Sequence, residues 1–135
     1  MTVEKKPPRL GRLELRIMQV LWHAGPATAR QITEAVNEGS ARPIAHSTVQ
    51  TLLRKMEAKG AVTHDPADRV FIFRPLVAEN EATRSATRDL LTRVFDGSVY
   101  GLVAHLLRHE GVSPDERQRL RQLIDSAEEG GERKA

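Results

Sequence analysis

The chain has 135 residues, which allows one or two small domains. It contains no cysteine, so disulfides, thiol catalysis and thiolate metal sites are excluded. No apolar run approaches the ~18 residues of a membrane span, and MTVEKKPPRLGR lacks the apolar segment of a secretory signal, so a cytoplasmic address is expected. The net charge of +3 is unevenly divided. Residues 1–75 hold 12 Lys/Arg against 7 Asp/Glu, a net of +5, whereas residues 76–135 hold 9 against 11, a net of −2. The basic excess permits an anionic partner for the N-terminal half.

In chain order, residues 1–9 read as a flexible basic arm carrying Lys5, Lys6 and Arg9. A first helix is predicted over Gly11–Ala24, with Leu10, Leu13, Ile17, Val20, Leu21 and Ala24 as its apolar stripe. Arg12, Glu14, Arg16 and Gln19 lie away from that stripe, and Gly25-Pro26 ends the helix. Thr28-Ala-Arg-Gln31 is a capping-box pattern opening a second helix, with Ile32, Ala35 and Val36 inward and a stop near Glu38-Gly39. Residues 40–45 read as a loop anchored by Ile44.

The stretch AHSTVQTLLRKMEAKG, residues 45–60, predicts a third helix with Val49, Leu52, Leu53 and Met56 inward. Its outer face carries Ser47, Gln50, Thr51 and Arg54, flanked by Thr48 and Lys55. The start is ambiguous between Ala45, His46 and a capping box at Ser47-x-x-Gln50; Gly60 marks the end. Two β-like runs follow, Ala61–His64 and Arg69–Arg74, separated by the turn sequence Asp65-Pro-Ala-Asp68. Three helices and then a hairpin is the element order of a winged helix-turn-helix.

From about Ala78 the chain is helical again. Ala82, Ala86, Leu90, Leu91, Val94 and Phe95 line one face of a long helix closed by Asp96-Gly97. A next helix starts at Ser98 with Val99, Leu102, Val103, Leu106 and Leu107 on one face. Ser113-Pro-Asp-Glu116 opens a last helix, with Leu120, Leu123, Ile124 and Ala127 inward. Three helices of about 50 residues are marginal as a lone domain, so these stripes are expected to pack against a second copy rather than to form a monomeric helical cap. The expected dimer interface is Leu90, Val94, Phe95, Val99, Leu102, Val103, Leu106, Leu120, Leu123 and Ile124. The fold class is mainly α. Its expected domains are a DNA-binding winged helix-turn-helix over 10–76, a helical dimerisation domain over 77–128 and a disordered tail over 129–135.

The outer face of the third helix suits the major groove of a DNA duplex. Arg54 and Lys55 match phosphate or guanine, Gln50 matches adenine, and Ser47, Thr48 and Thr51 offer hydroxyls and methyls. Thr28 and Arg30 sit at the start of the second helix, where free N–H groups attract phosphate. Arg42 and His46 precede the reading turns, and Arg69 is placed at the base of the hairpin to follow the adjacent backbone or minor groove. The partners implied are double-stranded DNA and a second copy of the chain, with no cofactor. Two alternatives share this fold: a protein–protein module docking an acidic partner, and a transcriptional activator.

Several motifs carry a resemblance. Leu21-Trp22, Ser47-Thr48-Val49-Gln50-Thr51-Leu52-Leu53, Met56-Glu57-x-Lys59-Gly60 and Arg69…Phe73-x-Pro75 resemble the winged-helix motifs of the penicillinase-repressor (BlaI/MecI/CopY) family. Arg93-Val-Phe-Asp-Gly-Ser98 is similar to its dimerisation region. The resemblance implies a homodimeric repressor placing one winged helix on each half of an operator dyad. It assigns DNA reading to Thr48, Thr51 and Arg54 and a wing role to Arg69. Copper-sensing relatives have a cysteine-rich C-terminal tail, and the absence of cysteine excludes that input. Antibiotic-responsive relatives are cut at an Asn-Phe bond, where the best-matching pair here is His105-Leu106.

Other residues invite chemistry and do not sustain it. His105 and His109 have metal-ligand spacing on one helix, but no third ligand is placed. Trp22 reads as a packing residue, and Asp65 and Asp68 as turn formers. With no nucleophile–base pair or phosphate loop, the chain is not expected to be an enzyme.

Overall fold

The computed structural model describes residues 7–131; Lys5 and Lys6 of the arm and residues 132–135 of the tail lie outside them. The elements are α1 (Arg12–Ala24), β1 (Ala27–Thr28), α2 (Ala29–Asn37), α3 (His46–Ala58), β2 (Val62–Ala67), β3 (Val70–Pro75), α4 (Glu79–Phe95), α5 (Val99–His109) and α6 (Pro114–Gly131). Two compact units meet within α4, the first ending at Asp89 and the second beginning at Leu90.

In the first unit, α1, α2 and α3 enclose a core of Ile17, Met18, Leu21, Ile32, Val36, Val49, Leu53 and Met56. Each such aliphatic side chain contributes about 1.5–3 kcal/mol on burial. The sheet closes the core with Ala61, Val62 and Phe73, and its strand order is β1-β3-β2, antiparallel throughout. This is the winged helix-turn-helix arrangement, with β2–β3 as the wing. Val77 is buried in the same core, and its carbonyl accepts from Trp22 Nε1–H at 2.8 Å. The compact unit therefore continues past residue 76 into the first turns of α4.

Several local expectations are corrected. Ala24 and Ala35 are exposed, and Glu14, expected on the outer face, is 7% exposed. It is drawn in because its carboxylate accepts from Gly11 N–H at 2.7 Å and from Lys59 Nζ at 2.6 Å. The Ser47 capping box does not form: Ala45 is the N-cap of α3, and its carbonyl accepts from Val49 N–H at 3.1 Å. At the other end Gly60 has φ +85°, with Ala61 N–H donating to Met56 O and Gly60 N–H to Glu57 O. This is a Schellman close, which needs the left-handed residue that glycine supplies.

The hairpin turn also differs. Ala67 pairs with Val70, so the connection is only Asp68-Arg69, with φ +47° and +71°. Asp65, Pro66 and Ala67 belong to β2, and Arg69 stands at the tip of the wing rather than its base. Pro66 is tolerated because β2 is an edge strand, where a missing N–H breaks no central ladder. Strand β1 was not foreseen; Ala27 and Thr28 pair with Phe73 and Ile72.

The second unit comprises the end of α4, then α5 and α6. Ser98 caps α5 by accepting from Gly101 N–H, and Ser113 caps α6 by accepting from Glu116 N–H. Helix α6 continues to Gly131, into the stretch expected to be a disordered tail. Neither α4 nor α5 contains a buried apolar residue. Of the expected interface residues, Leu90, Val94, Val99, Val103, Leu106, Leu123 and Ile124 are exposed, and Phe95, Leu102 and Leu120 are half-buried.

Candidate nucleic-acid interface

The buried edge of α3 (Val49, Leu53, Met56) fixes its rotation and turns Ser47, Thr51 and Arg54 directly outward. Gln50, four residues from both His46 and Arg54, lies on the flank that faces the wing. There α3, the start of α2 and the wing enclose an open cleft of about 660 Å³. Of the expected contacts, it gathers Thr28, Arg30, His46, Gln50, Arg54 and Arg69. Ser47 and Thr51 stand exposed on the crest of α3 outside it. Thr48 and Lys55 occupy the far flank, where Lys55 adds to the field at Glu14, and Arg42 is exposed in the preceding loop.

Local bonds restrict what each group offers. Thr28 Oγ1 accepts from Gln31 N–H at 3.1 Å while its own N–H donates to Gln31 Oε1 at 2.9 Å, so Thr28 is committed to the capping box. Ala29 and Arg30 follow it as the first two residues of α2. Thr51 Oγ1 donates to Ser47 O at 3.0 Å, leaving its methyl and a lone pair facing outward. Thr33 Oγ1 donates to Ala29 O, so at 3.2 Å it accepts from His46 Nδ1–H and ties the α3 start to α2. Asn37 completes that link, bonding both the N–H and the carbonyl of Ile44 at 2.6 and 2.9 Å.

Two groups of cations contrast. Arg9, Lys59 and Arg74 are neutralised by Asp89, Glu14 and Asp65. Arg30, Arg42, Arg54 and Arg69 form no ion pair with another described residue and are all exposed. Burial of Glu14 opposes its ionisation, yet the Gly11 N–H and the Lys59 ammonium outweigh it and hold the carboxyl below its ordinary value.

The sequence reading missed Glu57, His64 and Phe71 in the cleft wall. His64 Nδ1–H donates to Glu57 Oε1 at 2.8 Å, and its ring stacks on Phe71 with centroids 4.1 Å apart. The alternation Phe71-Ile72-Phe73 in a predicted strand was the available signal, since it sends both rings to one face. Among the described residues no group of three His, Cys, Asp or Glu side chains is placed to hold a metal. The His105 and His109 rings lie 4.4 Å apart, and Phe95 lies 5.7 Å from His105. No helix of the described residues is long and apolar enough to cross a membrane.

The sequence profile of the penicillinase repressor family matches residues 10–126. The chain belongs to the penicillinase repressor family. It is 29% identical over 122 residues to the penicillinase repressor of Bacillus licheniformis, covering 90% of this chain and 93% of that protein. It is 32% identical over 127 residues to the transcriptional regulator BlaI of Mycobacterium tuberculosis, covering 93% and 89%. The solved B. licheniformis BlaI monomer in complex with the blaP half-operator is 27% identical, with a TM-score of 0.48 over 58% of this chain and 93% of that one. In this family member the motif residues separate by role. Trp22, Leu53, Met56, Glu57, Lys59, Gly60 and Phe73 hold the winged helix together, whereas Ser47, Thr48, Gln50 and Thr51 are exposed.

Proposed function

We propose that the chain is a sequence-specific DNA-binding repressor, not an enzyme, that works in the cytoplasm as a homodimer on a dyad operator. One observation carries the reading: an exposed helix face of hydroxyls and amide is framed by Arg30, Arg54 and Arg69, none of which has an internal counter-ion among the described residues. Left unpaired, such guanidinium groups await phosphate or guanine edges. Family membership supports the same reading. In it, α3 enters the major groove through Ser47, Thr48, Gln50, Thr51 and Arg54. The α2 terminus with Arg30, the α3 loop with Arg42, and Lys55 take phosphates, while the wing tip places Arg69 on the adjacent backbone. Thr28 and His46 act indirectly, by fixing the α2 terminus and the α3 entry angle. The exposed apolar faces of α5 and α6 supply the surface that a second copy covers.

Genome-wide mapping of sites bound by the full chain, followed by footprinting of the strongest, tests this reading. Two protected half-sites related by a dyad, beside genes whose transcripts rise when the protein is removed, are expected. Protection of a single unrepeated site, or transcripts that fall on removal, would count against it.

A further inference from the structure

We propose that the cleft between α3 and the wing is also a receptor for a small aromatic carboxylate, and that this ligand and DNA exclude one another; the exclusion rests on the DNA reading above. The volume of about 660 Å³ lies in the range of small-ligand sites, roughly 300–1,000 Å³. The floor is unlike a surface built only for DNA. Leu53 and Phe73 form its base, and above them Phe71 is stacked on His64 yet remains 53% exposed. A stacked duplex presents phosphates, sugars and base edges and keeps its aromatic faces inside the stack, so it has no aromatic face to lay on that ring. A flat aromatic ligand covers it by offset stacking.

The rim selects the charge. Arg30, Arg54 and Arg69 surround the floor, and guanidinium groups take a carboxylate with paired N–H···O bonds. His46 and His64 also face the cleft. Its single acid, Glu57, is already engaged as the acceptor of the His64 Nδ1–H bond. A monoanion therefore fits, a cation does not, and a neutral aromatic gains only the floor. Because the ligand occupies the same guanidinium groups that phosphate requires, each weakens binding of the other.

The probe is 1-naphthoate, titrated calorimetrically into the full chain without DNA, beside the neutral 1-naphthamide. One site per chain is expected, with naphthoate preferred by about tenfold, the worth of one charge-assisted bond. Phe71→Ser, checked for folding by Trp22 fluorescence, should lower naphthoate affinity by about the same factor. Anisotropy of a labelled operator should then show naphthoate releasing DNA from the parent chain, with about tenfold more naphthoate needed to release it from Phe71→Ser. Equal affinity for naphthamide, an affinity unmoved by Phe71→Ser, or no release of operator would overturn the proposal. So would loss of operator binding in folded Phe71→Ser, since DNA would then cover the ring itself. A chain that binds naphthoate but no duplex would keep the receptor and defeat the DNA reading, so the two failures are separable.

Discussion

Arg69 stands where the backbone favours glycine, with φ +71° at the wing tip. A non-glycine residue there costs about 1–2 kcal/mol, and a charged side chain reaching a ligand is a reason to bear it. Arg69→Gly is expected to raise stability by up to about 1 kcal/mol while weakening operator binding, measured by thermal melting and anisotropy on one preparation. A variant that loses both would place the role of Arg69 in the fold. Glu14 is the converse, a charge spent entirely within the protein. Glu14→Gln should cost about 1–2 kcal/mol by replacing the charge-assisted bond to Lys59 with a neutral one, while Lys59 still donates to the Arg9 carbonyl at 2.6 Å. The carboxyl titrates below its ordinary value of 4.5. Its stabilisation is therefore complete above that value and is lost as pH falls through the lower folded one. Urea unfolding followed by Trp22 fluorescence should show the parent losing stability over that acid window, and Glu14→Gln losing less. At the reading face, Arg54→Ala should cost about 1–3 kcal/mol of operator affinity and relax specificity at one base pair. Lys55→Ala should weaken all sequences alike and lower the salt slope by about 1.

Among the elements, α2 is tied to the wing by two residues. Thr28 both caps the helix and pairs through β1 with Ile72, so the helix start and the wing move together. Thr28→Ala should destabilise the fold by about 1 kcal/mol and weaken phosphate contacts at Arg30, read by urea unfolding and binding. The helices were legible because apolar residues three and four apart repeat through α1, α3, α5 and α6, with serine or threonine caps at α2, α5 and α6. Strand β1 was not legible, since two residues carry no alternation and their partners Phe73 and Ile72 lie 46 and 44 positions away. The wing tip was misread for a local reason. Asp65-Pro66 is a stronger turn signal than Asp68-Arg69, and only the pairing of Ala67 with Val70 decides between them. The reading face followed from α3 alone, whereas the cleft behind it required tertiary contact between Glu57, His64 and Phe71.

At the scale of the whole molecule, the chain divides its labour between a unit with a closed core and a unit whose apolar side chains face outward. Val94, Val99, Leu123 and Ile124 are each about 62–63% exposed, the surface assigned to the proposed second copy. Leu123→Glu with Ile124→Glu should give a monomer in sedimentation, with the first unit still folded by Trp22 fluorescence. Operator affinity should then fall to that of a half-site, because the two reading helices no longer bind as one. In the proposed repressor, the arginines around α3 that lack an ion pair engage the phosphates and base edges of a dyad. Anisotropy of the full chain against its own upstream duplex and a scrambled one, across salt, tests it most directly. A dyad preference is expected, with a linear fall in log affinity with log salt, roughly thousandfold or more between about 50 and 200 mM. Salt-insensitive binding, or equal affinity for the scrambled duplex, would contradict it.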